Sequence, residues 1–322
     1  LKLKGCYSPF FMQEYISQNE LKTIENLEFF AGQVVEGFIT GLHKSPYHGF
    51  SVEFAEHRLY NRGESTRHID WKLFARTDKL FVKRFEEETN LRCQLVIDQS
   101  SSMHFPVQKT LTAENPNKIG FSVLASAALM NLFKRQRDAV GLSIFSEELK
   151  LHTAAKTSGA HHKRLLWELE SMAKPFDVKQ MQTTNVVKAL HEVAERVHQR
   201  SLVILFSDFL GNPDTSEDVF SALQHLKYNK HEVIVFHVVD RAHELYLDFD
   251  SRLHQFIDLE TGEELKVNPA ELKDAYHEQM LAYEKELKLR CGQYKIDFVP
   301  VDCSKGFEPV LLSYLLKRKK LY

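Results

Sequence analysis

From Leu91 onward the chain alternates apolar β-runs with helical stretches, and no other feature restricts its fold as much. The β-runs are LRCQLVID, AVGLSIF, SLVILFSD, HEVIVFHVVD and YKIDFVPV. Runs this apolar suit strands covered on both faces, the habit of parallel sheets. Between them lie the helical stretches NKIGFSVLASAALMNLFKRQ, HHKRLLWELESMA, NVVKALHEVAERVHQ and SEDVFSALQHLKYN. The last follows the turn-like GNPDT; Ser216 suits an N-cap and two acids occupy the first turn. This alternation predicts a doubly wound, mostly parallel α/β sheet.

The rhythm breaks after Asp240. HELYLDFDSRLHQFIDLETGEELKV reads as a β-hairpin inserted near residues 241–268, with ETGEE as its turn. A long helix follows, with Pro269 suited to its first turn, then a last strand and a closing helix from about Phe307. Residues 1–90 read differently. Helical periodicity covers about Pro9–Phe30, and a Gly- and His-punctuated stretch follows, with short β-like runs and a helix near Arg67–Ala75. The expected organisation is a small mixed α+β subdomain over 1–90 and the sheet domain over 91–322.

Composition excludes some partners. The 322 residues carry a formal net charge of −2, which gives no bulk electrostatic case for nucleic acid or an anionic membrane. No apolar run is long enough to span a bilayer, and LKLKGCYSPFFMQEY lacks the apolar core of a secretory signal. Cys6, Cys93, Cys291 and Cys303 form no CxxC pair, so a reducing compartment, the cytoplasm, is expected, with neither disulfides nor a zinc site. His43, His48, His57 and His68 lack helix ligand spacing and read as solvated or core histidines. The basic LKRKKLY reads as a solvated helix end.

The strand LVID delivers an acid and three serines, DQSSS, to its tip. In an open α/β sheet, ligands bind outside the carboxyl ends of strands near a topological switch point. Asp98, Ser100 and Ser102, at i, i+2 and i+4, can turn toward one point. One carboxylate and two hydroxyls are hard oxygen donors and suit Mg²⁺. Other strand ends supply more oxygens: Asp208 follows SLVILFS, and Thr183 and Thr184 precede a helix.

This combination resembles a metal-ion-dependent adhesion site, and the chain from Leu91 resembles a von Willebrand factor A domain. The resemblance implies that Ser100 and Ser102 bind Mg²⁺ or Mn²⁺ directly and that Thr184 is a direct or water-linked ligand. Asp98 and Asp208 would hold coordinated waters, and a partner's carboxylate would fill the remaining position. The threonine loop departs from the pattern: Gln182 and Thr183 stand where glycines are usual, and Asn185 where an acid is. Thr183 and Thr184 therefore both stay open as the ligand.

The segment Ser51–Asn90 is more specific still. Glu53-Phe54, Arg58 with Tyr60, Gly63-Glu64, Arg67, Ile69-Asp70-Trp71-Lys72, Ala75-Arg76 and Glu88 resemble the domain-of-unknown-function family fifty-eight. Members join such a segment to a von Willebrand A-like domain, and HEVIVFHVVD and DLETGEEL also fit. Ser65 departs from the family's usual second acid. Glu64, Arg67, Asp70 and Arg76 carry both charge signs and read, with Trp71, as a structural latch rather than catalytic groups.

The resulting expectation is a non-enzymatic, metal-dependent binding adaptor. The family resemblance implies a MoxR-type AAA+ ATPase as partner, with client proteins to assemble or activate. The rival is a metal-dependent hydrolase of phosphate esters, in which Asp98, Asp208 and an ion activate water. Against it, the sequence has no evident lysine motif, no second acid at i+2 from Asp98 and no Gly-rich phosphate loop. A third possibility is an interaction module with no metal at all.

Overall fold

A computed structural model describes residues 27–43, 57–59, 71–83, 91–108, 112, 115–174, 185–210, 216–306 and 308–321. The chain divides into two compact units, one comprising Leu1–Phe38 with Leu91–Tyr322 and the other Ile39–Asn90.

The larger unit is built on a six-stranded sheet. Its strands are β3 (Arg92–Asp98), β4 (Ala139–Phe145), β5 (Leu149–His152), β6 (Leu202–Ser207), β7 (Glu232–Val239) and β10 (Asp297–Asp302). They lie in the order β10-β7-β6-β3-β4-β5, all parallel except β5, which returns antiparallel on β4. Every residue of β4 and β6 is buried, as continuous apolar strands covered on both faces should be. The short, half-exposed edge strand LKLH carries too little pattern to stand out in the sequence.

Helices cover both faces. On one, α5 (Val186–Arg196), α6 (Ser216–Tyr228) and α7 (Pro269–Gln293) share an apolar cluster with Val96, Val203, Leu205, Val233 and Val235. On the other, α3 (Lys118–Arg135) is buried along almost its whole length, with α4 (Gly159–Met172) and α8 (Glu308–Leu321) beside it. Tyr314 of α8 meets Phe133 edge-on at 5.0 Å and donates its hydroxyl to Asp138 at 3.1 Å. The predicted doubly wound, mostly parallel sheet is thus the observed fold.

The helix caps follow local chemistry. Asn117 accepts from the Gly120 N–H, Asn185 from Lys188 and Asn268 from Ala270, with Pro269 at the start of α7. Strands β8 (His254–Ile257) and β9 (Glu264–Val267) pair with each other as a separate hairpin. Gly262 supplies the positive φ of 76° that its turn requires.

Helix α1 (Leu27–His43) begins near the end of the helical periodicity and enters the Gly-punctuated stretch as far as His43. Leu27, Phe30, Ala31, Val34 and Val35 form its buried stripe, which overrides the low helix propensity of its glycines. Residues 9–26 of the expected helix lie outside the described residues.

In the smaller unit, β1 (His57–Leu59) pairs antiparallel with β2 (Phe81–Lys83), and α2 spans Trp71–Thr77. No helix among the described residues is long and apolar enough to cross a membrane.

Candidate functional site

The sheet reverses its winding between β3 and β6. From β3 the chain proceeds outward through β4 and β5, and then returns to place β6 on the other side of β3. Their carboxyl ends therefore flank the crevice where such sheets bind ligands. Ile97 is in register with Phe206, so Asp98 and Ser207 come together just beyond.

Asp98 is completely buried. Its Oδ1 accepts the Ser100 N–H at 2.9 Å and its Oδ2 accepts the Ser207 hydroxyl at 2.7 Å. Burial, reinforced by the nearby negative charge of Asp208, pushes its pKa up to about 7; the Ser207 and Ser100 hydrogen bonds oppose the rise. Ser100 Oγ and Ser102 Oγ lie 3.0 Å apart. The loop carrying them is tightly held: Gln99 N–H donates to Phe145 O, Met103 is buried, and the Asn117 amide donates to His104 O.

Asp208 follows β6 and is also buried. Its Oδ1 accepts the Leu210 N–H at 3.0 Å, and its Oδ2 accepts the ammonium of Lys118 at 2.7 Å. The same ammonium donates to Glu244, which lies on the π-helical turn Arg241–Leu245 after β7. Burial by itself lowers the pKa of Lys118, but the carboxylates of Asp208 and Glu244 outweigh it and hold the ammonium charged. Glu244 is shifted up, chiefly by burial. The neighbouring backbone is fixed from two sides: Tyr283 donates to Phe209 O at 2.7 Å, and His237 Nε2 donates to Asp208 O at 2.9 Å.

The structure therefore links Asp98, Ser100, Ser102, Ser207 and Asp208 at one sheet edge. Thr183 and Thr184 lie outside the described residues. Asn185 follows them, and its N–H donates to Ser146 O, immediately after the Phe145 that is in register with Asp98. Glu64, Arg67 and Asp70 also lie outside the described residues. Trp71 opens α2, and Arg76 is exposed in its last turn.

A family model described as protein of unknown function DUF58 matches residues 56–286. The chain belongs to that family. It is similar to uncharacterized proteins of Mycobacterium tuberculosis and Mycobacterium bovis. Each is 25% identical over 267 residues, covering 82% of this chain and 78% of the relative. Among solved structures it resembles BatB from Bacteroides thetaiotaomicron at 15% identity and a TM-score of 0.43, covering 71% of this chain and 99% of that one. It also resembles the SpRpn10 VWA domain at 10% identity and a TM-score of 0.35, covering 70% and 94% respectively. The fold assignment for this DUF58 protein rests on its own strand order and register.

The donors suit a hard divalent cation chemically: two enclosed carboxylates and a pair of hydroxyl oxygens on one loop. No group of three or more His, Cys, Asp or Glu placed for a metal occurs among the described residues, and half of the donors in this set are hydroxyls. Sequence reasoning missed Lys118, Glu244 and Ser207. Lys118 did leave a signal. It is the sole charged residue of α3 before Lys134 and sits at the helix N-terminus, where the macrodipole disfavours a cation. Glu244 left none.

Proposed function

We propose that this protein is a protein-binding adaptor that holds Mg²⁺ or Mn²⁺ at the β3/β6 edge and uses the ion to grip an acidic group of a partner. Ser100, Ser102 and one threonine of the Thr183-Thr184 pair would hold the ion; Asp98 and Asp208 would hold its waters. When bound, the ion supplies an electrophilic position for a carboxylate. The observation that carries this reading is Asp98, a fully buried carboxylate bound to the backbone N–H of Ser100, whose hydroxyl pairs with that of Ser102. An enclosed carboxylate calls for a counter-charge, and the ammonium of Lys118 is bound to Asp208 and Glu244 instead. The family resemblance supports a MoxR-type AAA+ ATPase as partner and an assembly or activation role toward client proteins.

A hydrolase remains the weaker reading. A lysine does stand beside the second acid, contrary to the sequence reading, but its side chain is fully enclosed and ion-paired at both sides. It therefore has no route to a substrate phosphate without breaking those pairs.

Calorimetric titration of Mg²⁺ and Mn²⁺ into the wild type and a Asp98→Ala/Ser100→Ala double variant tests the adaptor reading. Saturable binding in the wild type, lost in the variant, supports it. Equal binding by both places the ion elsewhere. Activity on generic phosphate esters that vanishes with Asp98→Asn favours the hydrolase.

A further inference from the structure

The metal reading gives Lys118 no part, yet this lysine is the most unusual group near the site. It has no solvent exposure, starts a helix whose dipole opposes it, and spans two acids from different strand ends. Burying a lysine this way is costly unless every proton finds a strong partner. Such an arrangement invites a role beyond packing.

Its geometry suggests one. Lys118 Nζ occupies Oδ2 of Asp208, while Oδ1 of the same carboxylate accepts the Leu210 N–H. Each oxygen thus holds one protein donor, and the donor on Oδ2 is a full positive charge that repels a cation approaching there. The oxygens of Asp98 accept the Ser100 N–H and the Ser207 hydroxyl, and the Ser100 side chain and the charge of Lys150 also act on it. Asp98, Asp208, Glu244 and Lys118 together carry a formal charge of −2 when all are ionised, which one divalent cation brings to zero.

We propose that Lys118 is a positioning residue for the sheet-edge site. By holding Oδ2 of Asp208 it withholds that carboxylate from direct coordination, leaving a bound divalent cation short of negative charge and ready for a partner's carboxylate. Glu244 sets the strength of this hold, because it shares the ammonium with Asp208. The inference rests on the metal-binding reading above and adds to it the reason the last position favours an acid. It also predicts that the two ends of the ion pair act in opposite directions. Removing the ammonium makes the site more negative and frees Asp208. Removing the Glu244 charge makes the site less negative and commits the ammonium wholly to Asp208.

The test is calorimetric binding of Mg²⁺ and Mn²⁺ alone to the wild type, Lys118→Met, Glu244→Gln and the Asp98→Ala/Ser100→Ala control. The number of waters on bound Mn²⁺ is measured in parallel by relaxation. The expected result is binding about tenfold tighter in Lys118→Met, with one fewer water on Mn²⁺, and about tenfold weaker in Glu244→Gln. A purely structural role for the ion pair would weaken both variants and leave the water count unchanged. Shifts in the same direction, or none, overturn the proposal while leaving the metal site standing. Wild-type binding that is absent, or untouched by the control, instead overturns the metal reading and this inference with it. Should Lys118→Met fail to fold, Lys118→Gln, which keeps a donor without the charge, takes its place: binding that is unchanged or weaker overturns the proposal.

Discussion

Lys118 and Asp208, ninety positions apart in the chain, meet through an ammonium–carboxylate contact of 2.7 Å that solvent does not reach. The contact joins the first turn of α3 to the end of β6, and Glu244 extends it to the turn after β7.

Removing one member of such an enclosed group leaves uncompensated charge. Lys118→Met is expected to destabilise the metal-free protein by about 3–5 kcal/mol, because Asp208 and Glu244 lose their shared counter-ion. Denaturant unfolding in a chelating buffer measures this. A loss below about 1 kcal/mol would show that the pair is already well solvated in the native state.

Ser207 does two jobs with one hydroxyl. It donates to Asp98 Oδ2 at 2.7 Å and accepts the Phe209 N–H at 3.0 Å. Ser207→Ala is expected to cost about 1–3 kcal/mol, since a buried carboxylate oxygen and a buried N–H both lose a partner. It should also weaken Mg²⁺ binding, by releasing Asp98. Chemical denaturation and calorimetry read the two effects separately; a neutral Ser207→Ala variant would rule out this coupling.

Tyr283 holds the same loop from α7, through its hydroxyl on Phe209 O. Phe209 carries a φ of 50°, a left-handed conformation that a bulky residue adopts only when its surroundings impose it. Tyr283→Phe is expected to cost about 1 kcal/mol and to raise hydrogen exchange at Phe209 and Leu210 above that of β6 itself. Exchange that rises evenly across the sheet would point to global destabilisation instead.

His237 makes a pH-dependent contribution whose sign follows from its surroundings. It donates Nε2–H to Asp208 O, and Nδ1 is buried with no hydrogen-bond partner among the described residues. Burial, the largest effect, lowers its pKa from 6.5 to about 4. The unfolded chain therefore binds more protons there between those values. The stability His237 contributes is complete above pH 6.5 and is lost as pH falls through about 4, to the extent of about 3 kcal/mol. His237→Gln keeps a donor for Asp208 O but does not titrate. The stability gap between the wild type and this variant should narrow by about that amount from pH 7 to pH 4. The gap is the proper readout because Asp98, shifted upward, slopes the other way in the raw curve. A constant gap would show that His237 takes up its proton equally in the folded and unfolded states.

Much of the architecture was legible along the chain. Strands such as AVGLSIF and LVILFS announce themselves because burial on both faces requires an uninterrupted apolar run, and that requirement is local. Asp98 and Asp208 were legible for the same reason: each ends such a run, and strand ends are where an open sheet meets its ligand. The cap at Asn268 with Pro269, and the hairpin around Gly262, are likewise decided within a few residues. The antiparallel β5 escaped notice because a half-exposed strand of four residues has almost no periodicity to read.

The chain by itself thus determined which segments are buried, how they alternate and which oxygen donors stand at their tips. It did not determine which charges share the interior. Lys118 finds Asp208 and Glu244 only because the winding reverses at β3, setting α3, the end of β6 and the turn after β7 side by side. Contacts across 90 and 126 positions leave no periodic trace: a lone lysine at the start of the apolar α3 hints at burial, but nothing local names the acids it meets. Only the strand order brings them together, and with them the charge of the site.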